Sequence, residues 1–136
     1  MKPRISLITL GVDDLERSRR FYVEGLGLPV RPESVAGEIV FLDLGRTWLA
    51  LWDRGSLAED AGLPNDRAVF PGFSMAHNVA TREEVDAIAS LAPEIGGRVL
   101  QAPKETSYGG YATYFADPDG FPWEVAWNPG LPQLAD

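Results

Sequence analysis

Residues 117–129 read DPDGFPWEVAWNP, a tight turn that feeds an apolar run carrying one carboxylate, Glu124. Asp117, Pro118, Asp119 and Gly120 are turn formers, each for its own backbone reason. PWEVAWN then reads as a strand. An ionised carboxylate is costly to bury without a partner, so Glu124 calls for a metal, a cation, a ligand or water beside it.

The same pattern stands earlier in the chain. WLALW (48–52) lies over WEVAW (123–127), and LITLGV (7–12) lies over SMAHNV (74–79), in the same order. Between these landmarks each half carries a capped helix. Asp13 with Glu16, and Thr81 with Glu84, have capping-box spacing. LERSRRFYVEGL places Leu15, Phe21, Tyr22 and Leu26 broadly on one face, and REEVDAIASLA does so with Val85, Ile88 and Leu91 or Ala92. GEIVFLDLG and TWLALWD read as strands around a Gly-Arg turn, and GRVLQAP, GYATYFA and PWEVAWN as strands in the second half. This is an internal duplication with the order βαβββ, twice. It predicts an α+β fold in one domain, 1–136, with modules at 4–54 and 72–128 joined by a polar linker at 55–71. A short βαβββ unit cannot cover its own sheet, so the two sheets are expected to pack or curl around a shared cavity.

Composition narrows the function classes. The 136-residue chain is 45% hydrophobic, which suffices for a core, and it has no cysteine, which removes disulfides, thiolate metal sites and Cys nucleophiles. A net charge of −8 argues against nucleic acid as a partner and is compatible with attraction of cationic ligands. No apolar run approaches a membrane span, and the first residues lack a secretory pattern. A cytoplasmic location is expected.

The chain resembles the vicinal oxygen chelate superfamily, which includes glyoxalase I, bleomycin-resistance proteins and extradiol dioxygenases. VDDLERSRRFYVEGLGL (12–28) and DPDGFPWEV (117–125) carry the likeness, which extends over residues 4–128. The resemblance implies two βαβββ modules forming a cupped mixed sheet, often completed in a homodimer. Metal-dependent members hold a divalent ion with His, Gln or Glu on the first and last strand of each module. Those positions correspond here to Leu7, Leu49, Ser74 and Glu124. Only Glu124 is a good ligand, so no metal and no cofactor is expected.

Strand alternation adds a cavity wall in phase with those positions. It consists of Leu7, Thr9, Leu49, Leu51, Asp53, Ser74, Ala76, Asn78, Glu124, Ala126 and Asn128. Tyr108 and Tyr111, in the glycine-bearing TSYGGYATY (106–114), would form a rim. Trp48, Trp52, Trp123 and Trp127 fall in the opposite phase, where packing against helices is the expectation and a subunit groove the alternative. His77, the sole histidine, is expected to face away from Ser74. The leading reading is a metal-free binder of an organic small molecule, resembling the bleomycin-resistance type. The alternatives are a metal-dependent lyase or dioxygenase, and a metal-free enzyme with Glu124 as general base.

Overall fold

A computed structural model describes the chain except for residues 2, 4, 62, 67–70, 72 and 136. It divides into two compact units, Met1–Arg67 and Ala68–Asp136. Parts of the expected linker and of the second module's start thus lie outside the described residues.

The first unit runs β1 (Leu7–Val12), α1 (Leu15–Arg19), β2 (Ile39–Leu44), β3 (Thr47–Asp53) and α2 (Arg54–Asp60). Its sheet has the order β1-β3-β2, with β1 parallel and β2 antiparallel to β3. The helix starts one residue later than its sequence signal suggests. Asp14, not Asp13, is the N-cap and accepts from the Arg17 backbone N–H at 2.9 Å. Beyond Arg19 the helix continues as a π-helical turn, Arg20–Gly25, which buries Phe21 and Tyr22 edge to face. The β2–β3 hairpin turns at Gly45-Arg46, where Gly45 has φ of 80° and lies first in the two-residue loop, as a type II′ turn requires.

This unit has one strand fewer than βαβββ. Its place is taken by isolated bridges, Val30 with Leu42 and Val35 with Ile39. Pro29 and Pro32 flank Val30 and bring no N–H to a ladder, so pairing stops after a single bridge. The expected linker also begins as structure. Asp53 caps α2 by accepting from the Ser56 N–H and hydroxyl, each at 2.8 Å.

The second unit is a full βαβββ module. It comprises β4 (Met75–Val79), α3 (Arg82–Glu94), β5 (Arg98–Glu105), β6 (Tyr111–Ala116) and β7 (Pro122–Trp127), with sheet order β4-β7-β6-β5. The α3 capping box is complete, with Thr81 N–H donating to Glu84 at 2.8 Å and Glu84 N–H to the Thr81 hydroxyl at 3.3 Å. The DPDG turn closes the β6–β7 hairpin. Asp117 is buried, and its carboxylate accepts from the N–H groups of Asp119 and Phe121 at 2.9 and 2.8 Å. Gly120, at φ of 93°, completes the reversal. Turn chemistry thus accounts for Asp117. A 3₁₀ turn, Pro132–Leu134, follows β7.

A carboxylate beside two phenols

In the second unit, strand register decides which side chains meet. The hairpin pairs Ala116 with Pro122, and two residues further on Tyr114 stands opposite Glu124. On the other side of β7, Ala76 is paired with Glu124. One sheet face therefore carries Ala76, Asn78, Ala112, Tyr114, Glu124 and Ala126. The reverse face carries Met75, His77, Val79, Thr113, Phe115, Trp123, Val125 and Trp127, beneath α3.

On the first of these faces Glu124 is half-buried and has two phenols for company. The Tyr108 hydroxyl donates to Glu124 Oε1 at 3.4 Å, a long bond. Tyr114 stands opposite Glu124 on the neighbouring strand, and its phenol feels both that carboxylate and the Ser74 hydroxyl. Burial pushes the Tyr114 phenol above its ordinary value, and the Glu124 charge pushes it further. Tyr108 is half exposed, and the partial desolvation of its phenol still pushes it up, with the Thr106 hydroxyl pulling the other way and Glu124 adding to the rise. Both phenols are therefore protonated donors at neutral pH.

The loop fixes Tyr108 in place. Thr106 N–H donates to the Gly110 carbonyl at 3.0 Å, and Gly110 N–H to the Thr106 hydroxyl at 2.9 Å. A Cβ on Gly110 would fall 2.5 Å from the Trp127 carbonyl and 2.7 Å from Tyr108 Cε2, so only glycine lets the ring settle here.

Tyr111 does not join Tyr108. It faces α3, where its hydroxyl donates to Asp86 at 3.0 Å and its ring lies under the Arg82 guanidinium. Arg82 also covers Trp127 and pairs with Glu105. The cause is strand parity: Tyr111 is an odd number of residues from Tyr114 on a regular strand. Asn78 shares the Glu124 face, whereas the Asn128 side chain accepts from Gly130 N–H at 3.1 Å in the turn after β7. His77 is exposed on the Met75–Val79 side, as alternation requires.

In the first unit the expected wall divides between two faces. Leu7 and Thr9 pair with Trp48 and Ala50, so they share a face with those residues and with Trp52. Leu49 and Leu51 lie on the opposite face with Leu10, Val12, Val40 and Leu42, and both are 0% exposed. They are core, not cavity wall, and Asp53 is occupied as a helix cap. The physical reason is register. Leu7 pairs with Trp48, but in the second unit Met75, not Ser74, pairs with Trp123. Superposing WLALW on WEVAW thus inverts the phase of β3. Trp48 and Trp52 accordingly stand half-buried on the more open face. Trp48 meets Phe41 edge to face, and the Arg31 guanidinium lies 3.9 Å from its ring centre. Trp123 and Trp127 do lie on the helix side, with Trp123 stacked on Phe115.

Tyr114 and Thr106 escaped sequence reasoning. The signal for Tyr114 was present, because counting back from the DPDG turn across a two-stranded ladder gives the Tyr114–Glu124 pair directly.

A four-position metal site of the superfamily kind does not fit these residues. Leu7 and Leu49 have no donor atom, and Ser74 offers only a neutral hydroxyl, a poor ligand. Among the described residues no group of three His, Cys, Asp or Glu side chains converges.

Solved structures with the same fold are numerous. A glyoxalase-related enzyme from Fulvimarina pelagi is 38% identical, with a TM-score of 0.82 over 93% of this chain and 89% of that one. A glyoxalase/bleomycin resistance protein/dioxygenase from Nocardioides is 25% identical, with a TM-score of 0.74 over 96% and 87%. Lactoylglutathione lyase from Agrobacterium tumefaciens is 26% identical, with a TM-score of 0.69 over 92% and 93%. Residues 4–125 match the family profile itself, and the chain belongs to the Glyoxalase/Bleomycin resistance protein/Dioxygenase superfamily.

Proposed function

We propose that this chain is a metal-free member of its superfamily that binds an organic small molecule, in the manner of the bleomycin-resistance type, and releases it unchanged. The observation that carries this reading is the company of Glu124. The Tyr108 hydroxyl donates to the carboxylate and Tyr114 stands opposite it, where metal-dependent relatives need imidazoles or further carboxylates. Such a cluster orients a ligand by hydrogen bonds and needs no bound ion. The reading extends to a cytoplasmic homodimer. No helix of the described residues is long and apolar enough to cross a membrane, and a symmetric pair is the commonest way to cover apolar sheet surface.

A second reading has its own support. The 38% identical neighbour is described as a glyoxalase-related enzyme, and a half-buried carboxylate can serve as a general base. Native mass spectrometry of the purified protein against a natural-product library separates the readings. Binding is expected to give a stable complex from which the ligand is recovered with unchanged mass. Conversion by the wild type and not by Glu124→Gln would favour the enzyme. A library with no retained compound would remove the sequestration reading. Sedimentation at micromolar concentration tests the dimer, and a monomer would overturn it.

A further inference from the structure

We propose that the first unit carries a small-molecule site of its own, a cleft that takes an uncharged apolar ligand and is independent of Glu124. The cleft opens between α1 and residues 30–37 and has a volume of about 580 Å³. That is the size of a small-molecule pocket. It lies wholly in the first unit, whereas Glu124 stands on β7 of the second. Leu15 of α1 and Val40, on the buried face of β2, both line it. The cleft is therefore on the helix side of the sheet and not on the open face of Trp48.

The interrupted strand of this unit makes the room. In the second unit the equivalent segment, β5, pairs with β6 from Arg98 to Glu105, and α3 packs on it. In the first unit Pro29 and Pro32 reduce that pairing to isolated bridges, and residues 30–37 form a wall beside the helix instead. The wall is nonetheless tied down. Arg31 N–H donates to the Phe41 carbonyl at 2.8 Å, and Val35 N–H to the Ile39 carbonyl at 2.9 Å. The Ser34 hydroxyl accepts from Phe41 N–H at 2.9 Å. A cleft with fixed walls is preformed, so binding carries little ordering cost.

The lining chooses the ligand's chemistry. Its apolar side chains are Leu15, Val30, Val35, Ala36, Ile39 and Val40. The polar groups among them are answered within the protein. Arg31 donates from Nε and Nη2 to Glu33 at 3.2 and 3.1 Å, and from Nη1 to Asp43 at 2.7 Å. Ser34 donates to the Phe41 carbonyl at 3.3 Å. Arg19 pairs with Glu24 at 3.1 Å and with Glu16 at 3.7 Å. The two guanidinium groups thus meet the carboxylates of Glu16, Glu24, Glu33 and Asp43, so an anionic ligand would face an excess of negative charge. A cationic ligand would have to displace an arginine from its carboxylate and give up its own water among valines. An uncharged apolar body does neither. It covers Val30 and Val35, which are otherwise exposed to water, and that burial drives binding.

Amide NMR titration of the purified full chain tests the proposal. The probes share one ring system: 2-naphthalenemethanol, 2-naphthoate and protonated 2-(aminomethyl)naphthalene. The alcohol is expected to bind saturably, with shifts concentrated at residues 15–19 and 30–40 and none around Glu124. It should bind roughly tenfold or more tighter than either charged analogue, because only they must desolvate a charge. Ala36 is exposed, so Ala36→Trp should fill the cleft without disturbing the core, and weaken the alcohol by about tenfold or more. Val35→Asp, also at an exposed position, puts a charge on the wall and should do the same, which keeps the test open if the tryptophan variant does not fold. Absence of saturable alcohol binding, shifts confined to the second unit, or equal affinity for the three probes would overturn the inference on the wild type alone. So would an unchanged affinity in either folded variant. Shifts at residues 30–37 that follow protein concentration with no probe present would assign the cleft to a second copy of the chain, and would overturn it too.

Discussion

The two kinds of residue in the expected cavity list should respond oppositely to substitution. Leu49 is fully buried among Leu10, Leu42 and Leu51, so Leu49→Ala should cost about 2–5 kcal/mol in denaturant unfolding. A cost below about 1 kcal/mol would return Leu49 to an open face. The phenols make a finer test. Tyr108 and Tyr114 are both raised, chiefly by burial and further by Glu124. A folded state with a raised phenol pKa holds protons that the unfolded chain has lost. The stability this contributes is complete below the ordinary phenol value of about 10 and falls as pH rises through the folded values. Glu124→Gln should lower both tyrosinate midpoints in an ultraviolet titration without restoring the ordinary value, because burial remains. Tyr111, raised mainly by its hydrogen bond to Asp86, should not move. Insensitivity of Tyr108 and Tyr114 to Glu124→Gln would dissolve the cluster.

Elements decide how far such residues could be read in advance. Helix α3 and the DPDG hairpin were legible because their signals are local: a capping box, a turn tetrapeptide and a periodic apolar face. The missing strand of the first unit was marked by Pro29 and Pro32, which suppress a ladder. The phase of β3 was not legible. It depends on a one-residue difference in parallel register between the units, and no residue of WLALW announces that difference. Glu124 stood out by its chemistry, and Tyr108 and Tyr111 were both expected at a rim near the glycines, whereas Tyr111 lies on β6 against Asp86 and Arg82. The 106–110 loop carries its own prediction. Gly110→Ala would drive a methyl against the Trp127 carbonyl, which is backbone, and against the Tyr108 ring, which can rotate away. The expected result is a shifted Tyr108 tyrosinate midpoint together with a lowered melting temperature. An unaltered Tyr108 titration in that variant would mean that the loop does not position the ring.

At the scale of the whole chain, duplication supplied two copies of one scaffold, and the copies have diverged in what they can bind. The superfamily's metal positions lie on the first and last strand of each module. In the first unit they correspond to Leu7 and either Leu49, by sequence alignment, or Trp48, which shares the Leu7 face. Neither choice yields a ligand, since leucine has no donor atom and an indole N–H cannot accept a metal. The second unit contributes Ser74, a neutral hydroxyl, and Glu124, which accepts from the Tyr108 phenol. One carboxylate with neutral hydroxyls falls short of the three or four strong protein ligands of a tight zinc or iron site. Purified protein is therefore expected to hold no stoichiometric transition metal by elemental analysis, and to show no thermal shift with Zn²⁺, Ni²⁺, Mn²⁺ or Fe²⁺. About one equivalent of metal per chain, lost in Glu124→Gln, would overturn this and restore the lyase and dioxygenase readings. If metal is absent and Glu124→Gln leaves the melting curve in place, the carboxylate is kept for a ligand and not for the fold.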